Sequence, residues 1–238
     1  MSELVALARR LVNIASLSGE EAEAARFVAA HLAELGYAVE VFEAAPHRPN
    51  VLATTDRPPR VVLSTHLDTV PPHLPAREEH GFLYGRGACD AKGIIAAQIT
   101  AAERLRAEGV GEIGLLFVVD EEMGSAGARA DLQIRLVTDA APVRQLLERT
   151  VDGRARIEYL SAVNPVRLTT VPGFETCVVR FTTDIPHLAN WGSPLLIGPG
   201  SILDAHTAHE RISLEELAAG ADMYVRLVRA LLCGNGTA

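Results

Sequence analysis

Between residues 61 and 124 the chain carries three clusters of metal-seeking or proton-moving side chains, each just past an apolar run. They are Ser64-Thr65-His66-Leu67-Asp68-Thr69-Val70-Pro71, Gly85-Arg86-Gly87-Ala88-Cys89-Asp90-Ala91-Lys92-Gly93 and Val118-Val119-Asp120-Glu121-Glu122-Met123-Gly124. The first and third follow short runs rich in β-branched residues, 61–64 and 113–119, that read as strands. In a parallel α/β sheet such strands end at the ligand-binding edge, so both clusters are expected on one rim. Imidazole and carboxylate without thiolate is the donor set of a hydrolytic zinc, cobalt or manganese centre, because it binds the ion and leaves it Lewis acidic. Each cluster also has a plainer reading: a hydrogen-bonded histidine after a strand, a turn aspartate at Asp68, a solvated acidic turn at 120–122. Their order along the chain favours the metallohydrolase.

Around these clusters the pattern alternates between helix and strand. Leu4, Leu7, Leu11 and Ile14 recur at helical spacing, and Ser18 reads as the cap of a second helix with Glu20 and Glu21 in its first turn. Strand patterns follow at 37–42 and 50–54, and an Ala-rich helix is expected over 92–107 with Ile95, Ile99, Ala102 and Leu105 inward. Gly85 and Gly87 permit the close backbone approach that brings Asp90 to the rim. Further on, strand-like stretches occur at 131–137, 155–161, 176–182 and 195–197, with a helix around 142–150. Ser213 reads as the cap of a closing helix with Leu214, Leu217, Ala221, Tyr224, Val225 and Val228 inward.

Side chains two apart in an extended segment point the same way, so Asp68 is placed to accept a hydrogen bond from the far nitrogen of His66 and fix its tautomer. Adjacent carboxylates point in different directions, which suits division of labour in the Glu121-Glu122 pair: one held by the metal, the other free to carry a proton.

The motifs S-T-H-L-D-T-V-P (64–71), Y-G-R-G-A-C-D-A-K-G (84–93), D-E-E-M-G-S (120–125) and G-P-G-S-I-L-D-A-H-T-A-H-E (198–210) resemble those of the co-catalytic zinc amidohydrolases. That family includes acetylornithine deacetylase, succinyl-diaminopimelate desuccinylase, aminoacylase and carboxypeptidase G, and the wording around the motifs is most similar to the acetylornithine deacetylase branch. The resemblance implies a three-layer α/β/α, mostly parallel sheet carrying His66, Asp90, Glu122 and His206 as metal ligands. It makes Asp90 the bridging carboxylate and Glu121 the general base, with His209 a bystander; Asp68, by its spacing from His66, is counted with Glu121 as catalytic. It implies Zn(2+), one or two ions, with Co(2+) or Mn(2+) able to substitute, and an N-acyl amino acid of the N-acetylornithine type as substrate.

Past Arg129 the chain departs from that pattern. Full-length members continue with a G-E-P-T-like segment that supplies a further carboxylate ligand and enter a four-stranded lid. Here 130–163 reads as a β-α-β remnant of a ferredoxin-like lid, flanked by catalytic segments 1–129 and 164–238. One metal site is therefore expected to be well formed and the second weakened. Two alternatives remain: a non-catalytic metal-binding or interaction protein that keeps the ligands, and a protein in which the clusters are a structural relic and the exposed edge of the remnant self-associates.

Composition narrows the partners. A formal charge of −8 with interleaved signs argues against nucleic acid or an anionic membrane surface. Three cysteines without a C-x-x-C pair, Cys89, Cys177 and Cys233, offer neither a disulfide framework nor a thiolate zinc site, and fit a cytoplasmic setting. No export signal is expected at the N-terminus.

Overall fold

A computed structural model describes residues 2–122, 140–151, 166–179, 183, 185–187 and 191–234. The chain divides into two compact units, Met1–Ala126 with Gly198–Ala238, and Gly127–Ile197.

The first unit is built on a four-stranded sheet in the order β1-β2-β6-β3. Its strands are β1 (Ala38–Ala45), β2 (Arg48–Thr54), β3 (Val61–His66) and β6 (Ile113–Val118). The β3–β6 pair is parallel, with Val61 opposite Ile113 and His66 opposite Val118. The β1–β2 and β2–β6 pairs are antiparallel, so the α/β sheet is mixed. Antiparallel pairing leaves no mark in the strand pattern of a single sequence, because alternation reports burial and not direction.

Between β3 and β6 run β4 (Arg77–Glu79), β5 (Phe82–Tyr84) and α3 (Lys92–Ala107). The β4 and β5 strands form a second, antiparallel sheet with β7 (Arg211–Ser213), which none of the sequence patterns announced. Helix α3 buries Ile95, Ile99, Ala102 and Leu105 almost completely, as its spacing predicts. It packs against α1 (Ser2–Asn13) and α5 (Leu214–Gly234). The closing helix begins with a reciprocal cap: Glu216 N–H donates to Ser213 Oγ at 3.0 Å, and Ser213 Oγ–H donates to Glu216 Oε2 at 2.7 Å.

Ser18 does not cap α2 (Ala22–Glu34). Its hydroxyl donates to Asp68 Oδ2 at 2.7 Å, and the residue preceding the helix, Glu21, makes no side-chain cap. An ionised, buried acceptor draws the hydroxyl proton more strongly than a helix terminus holds the oxygen.

In the unit Gly127–Ile197, a helix α4 (Ala140–Val151) stands where the sequence places one. The expected strands at 131–137 and 155–161, and 180–182 of the stretch 176–182, lie outside the described residues. Residues 176–179 and 195–197 are irregular and not strand, since apolar runs form a ladder only where a neighbouring strand supplies partners. Among the described residues no helix is long and apolar enough to cross a membrane.

Candidate metal centre

Two strand pairings assemble the site. Because β3 and β6 run parallel and in register, the segments that follow them leave the sheet at the same edge, joined by the bond from Leu67 N–H to Val118 O at 2.7 Å. That puts Asp68 under the turn at 120–122. Its Oδ1 accepts Glu121 N–H at 3.1 Å, and its Oδ2 accepts Glu122 N–H at 2.9 Å. With the Ser18 hydroxyl as a third donor, the buried Asp68 carboxylate anchors both glutamates by their backbone.

The second pairing is antiparallel. Tyr84 lies opposite Arg211, so the residues after Tyr84 run alongside those before Arg211. Gly85 N–H donates to Glu210 O at 3.1 Å, and the loop 85–90 thereby meets the loop 206–210. Gly85 and Gly87 adopt φ of 141° and 92°. A Cβ at Gly85 would stand 2.4 Å from Val12 Cγ1, and one at Gly87 2.8 Å from Lys92 Cδ, so this path needs glycine at both.

At the junction of the two pairings the predicted ligands meet. His66 Nε2 is 3.0 Å from Asp90 Oδ1; His206 Nε2 is 3.3 Å from Asp90 Oδ2 and 2.8 Å from Glu122 Oε2. His66, Asp90 and Glu122 each offer a donor atom within 4.8 Å of the others. Glu121 Oε2 lies 4.0 Å from His66 Nε2. His209 is exposed and stands outside that group.

The far nitrogen of His66 is held differently from the expectation. Nδ1 sits 3.0 Å from the main-chain carbonyl of Asp68 and 3.5 Å from its carboxylate Oδ1. A carbonyl only accepts, so Nδ1 carries the proton and Nε2 faces Asp90. The Asp68 carboxylate is occupied with the 121–122 turn.

Charge is concentrated here. Burial opposes the imidazolium of His66, but hydrogen bonds to Asp68 and Asp90 outweigh it and hold its pKa well above the ordinary value. Hydrogen bonding to Asp90 raises His206 to about 9. Burial pushes Glu122 up to about 7, partly offset by His66. Burial pushes Asp68 up, but the nearby His66 imidazole and the bonds from Ser18 and Glu122 N–H outweigh it and lower its pKa to about 2. Carboxylates that cannot all ionise freely, beside imidazoles that share their protons, are what a cation would relieve. The oxygen and nitrogen donors therefore fit a divalent ion. Cys89 does not join them. Burial, reinforced by Asp90 and Glu210, raises its thiol to about 12, and its Sγ donates to Ser201 O at 3.3 Å.

Residues 62–157 match the model of peptidase family M20/M25/M40. Over that part the chain is similar to the M20 peptidases. A Schizosaccharomyces pombe peptidase M20 domain-containing protein is 26% identical over 335 residues, taking in 94% of this chain and 84% of the relative. Since 335 exceeds the 238 residues here, that alignment crosses a long stretch of the relative with no counterpart in this chain. A probable carboxypeptidase of Aspergillus clavatus is 40% identical over 144 residues, 54% of this chain and 32% of the relative. The chain thus spans about a third of the length of this probable carboxypeptidase. In fold, it resembles the crystal structure of aminopeptidase PepT from Bacillus cereus, with a TM-score of 0.61 at 16% identity, over 97% of this chain and 98% of that one. Carboxypeptidase and M20-domain names, and not acetylornithine deacetylase, attach to these relatives.

Three participants escaped the sequence reading. Arg48 bonds the buried Glu21 and, at 2.8 Å, Asp120, the first residue of the acidic turn. Arg86 and Glu210 form a buried ion pair at 2.6 Å. The available signals were Arg86 lying within the 84–93 motif and Glu210 within the 198–210 motif. No local pattern marks a charged residue as buried when its partner is 124 positions away.

Proposed function

We propose that the chain is a metal-dependent hydrolase of the amide bond that joins an acyl group to an amino acid. The observation that carries this reading is the convergence of His66, Asp90, Glu122 and His206, with Glu121 beside them. Removal of an acetyl group from an N-acetylornithine-type substrate and removal of a C-terminal residue from a peptide are the same reaction with different acyl groups. The carboxypeptidase names of the relatives and the deacetylase-like wording of the motifs therefore support one chemistry.

In this reading Asp90, Glu122 and His206 would hold one divalent ion, zinc by preference, while among the described residues His66 and Asp90 would supply a weaker second site. When bound, the ion supplies Lewis acidity toward water and the substrate carbonyl. Glu121 takes the proton from the attacking water and delivers it to the leaving amine. Asp68 keeps Glu121 and Glu122 at fixed positions through their backbone N–H groups, and the Asp68 carbonyl holds the His66 ring. The reaction balances as one water consumed, one amide bond broken, and one carboxylate and one amine released. We place this chemistry in the cytoplasm, on a small-molecule substrate.

Metal titration with N-acyl amino acids and dipeptides as substrates tests the proposal. Glu121→Gln is expected to bind metal like the parent and lose turnover by about 10²- to 10⁴-fold. Metal-dependent hydrolysis that continues unchanged in that variant would remove Glu121 from its role. A parent that binds metal but cleaves none of these substrates would be a binding protein and not a hydrolase.

A further inference from the structure

We propose that Glu210 is a positioning residue that locks the Asp90 loop to the His206 loop, so that two ligands 116 positions apart in sequence form one site. The inference rests on the metal-site reading above and concerns a side chain that would touch neither metal nor substrate.

Glu210 is almost wholly buried and accepts from four donors at once. Its Oε1 takes the backbone N–H groups of Gly87 at 2.9 Å, Cys89 at 3.2 Å and Asp90 at 3.2 Å, and its Oε2 takes Arg86 Nη1–H at 2.6 Å. All four donors belong to the loop 85–90, and one is the amide of Asp90 itself. Arg86 also reaches back to the His206 loop. Its Nη1 also donates to Thr207 O at 3.2 Å, next to His206, and its Nε donates to Pro72 O at 3.3 Å.

The arrangement demands a carboxylate and not merely a polar side chain. Both ends of Glu210 face only donors, and an ionised carboxylate is an acceptor at both oxygens. A glutamine of the same shape must turn its NH2 either toward the Arg86 guanidinium or toward three backbone N–H groups. Either orientation sets donor against donor in a buried site. A shift of the Asp90 amide moves the carboxylate that His66 and His206 share. The penalty is therefore expected in metal binding as well as in folding.

The experiment compares the parent, Glu210→Gln, Glu210→Asp and a destabilised control, Leu105→Ala, whose side chain lies in the α3 core away from both loops. Zinc affinity is read by calorimetry, and the geometry of the bound ion by the visible absorption of the Co(2+)-loaded proteins. Loss of supporting contacts behind a metal ligand typically lowers affinity about 10- to 100-fold. That loss, with an altered cobalt spectrum, is expected for Glu210→Gln and for Glu210→Asp, whose shorter side chain cannot reach both partners. Leu105→Ala should keep the parent affinity and spectrum at temperatures where it is folded. A folded variant at position 210 that binds zinc with parental affinity and spectrum would overturn the proposal while leaving the metal centre intact. Equal loss in Leu105→Ala would reduce Glu210 to a contributor to stability and overturn it too. A parent that binds no metal would overturn the metal reading and this inference together.

Discussion

Helix α3 and helix α4 resemble each other as sequences and differ in what they bury. In the first unit α3 buries ten residues, among them Ile95, Ile99 and Leu105, while α4, in the unit 127–197, buries none. Among the described residues of 127–197 only Val171 is buried, and Leu146, Val178 and Trp191 are exposed. The contrast shows which part of the chain is organised to hold side chains still. Every predicted ligand stands in the unit with the continuous core, and the backbone around the ligands is fixed by buried carboxylates, Asp68 on one side and Glu210 on the other. Rigid support is what metal ligation needs, because a ligand that wanders by an ångström loses the ion.

The largest stability effect is therefore expected in α3. Truncating a fully buried leucine removes its transfer free energy and leaves a cavity, so Leu105→Ala should cost about 2–5 kcal/mol. Urea denaturation followed by far-UV circular dichroism measures it. A cost below about 1 kcal/mol would mean that α3 repacks easily, and the contrast between the units would lose its physical basis.

A smaller effect follows from the charges at the rim. The pKa of Asp68 is lower in the folded protein, about 2, than its ordinary 3.8. Its contribution to stability is thus present above pH 4 and is lost as the pH falls through 2. A difference of nearly two pKa units is worth about 2 kcal/mol. Glu122 acts in the opposite sense. Its folded pKa, about 7, is above the ordinary 4.5, so the metal-free fold is favoured below pH 4.5 and loses stability as the pH rises through 7. The metal-free protein should be most stable between about pH 4 and 5, with the acid limb flattened in Asp68→Asn and the alkaline limb flattened in Glu122→Gln. Thermal melts in a metal-chelating buffer across pH 2–8 check both. A profile that rises steadily from pH 5 to 8 would contradict the assignment for Glu122.

Much of this site was legible in the sequence, and the reasons are local. His66 and the 120–122 turn each end a β-branched run, Asp90 follows a glycine turn and precedes an Ala-rich helix, and Ser213 with Glu216 forms a cap at the usual spacing. Such signals depend on residues within a few positions of one another. The unread parts depend on distant ones. The antiparallel β5–β7 pair joins residues 127 or more positions apart, and without it nothing sets Glu210 beside Arg86 or His206 beside Asp90. Ser18 was misread for the same reason. Its local sequence is that of a helix cap, and its actual partner, Asp68, is 50 positions away.

The smallest effect is expected at Leu146 in α4. Its side chain is 56% exposed, so replacing it with alanine removes little buried area and puts the best helix former in its place. Leu146→Ala should change stability by no more than about 0.5 kcal/mol. Far-UV circular dichroism together with the fluorescence of Trp191, the only tryptophan and a reporter in the same unit, follows the transition. A loss of 2 kcal/mol or more would mean that Leu146 is covered in solution. If that loss also grew with protein concentration, the cover would be a second copy of this chain, and α4 would be part of an association surface.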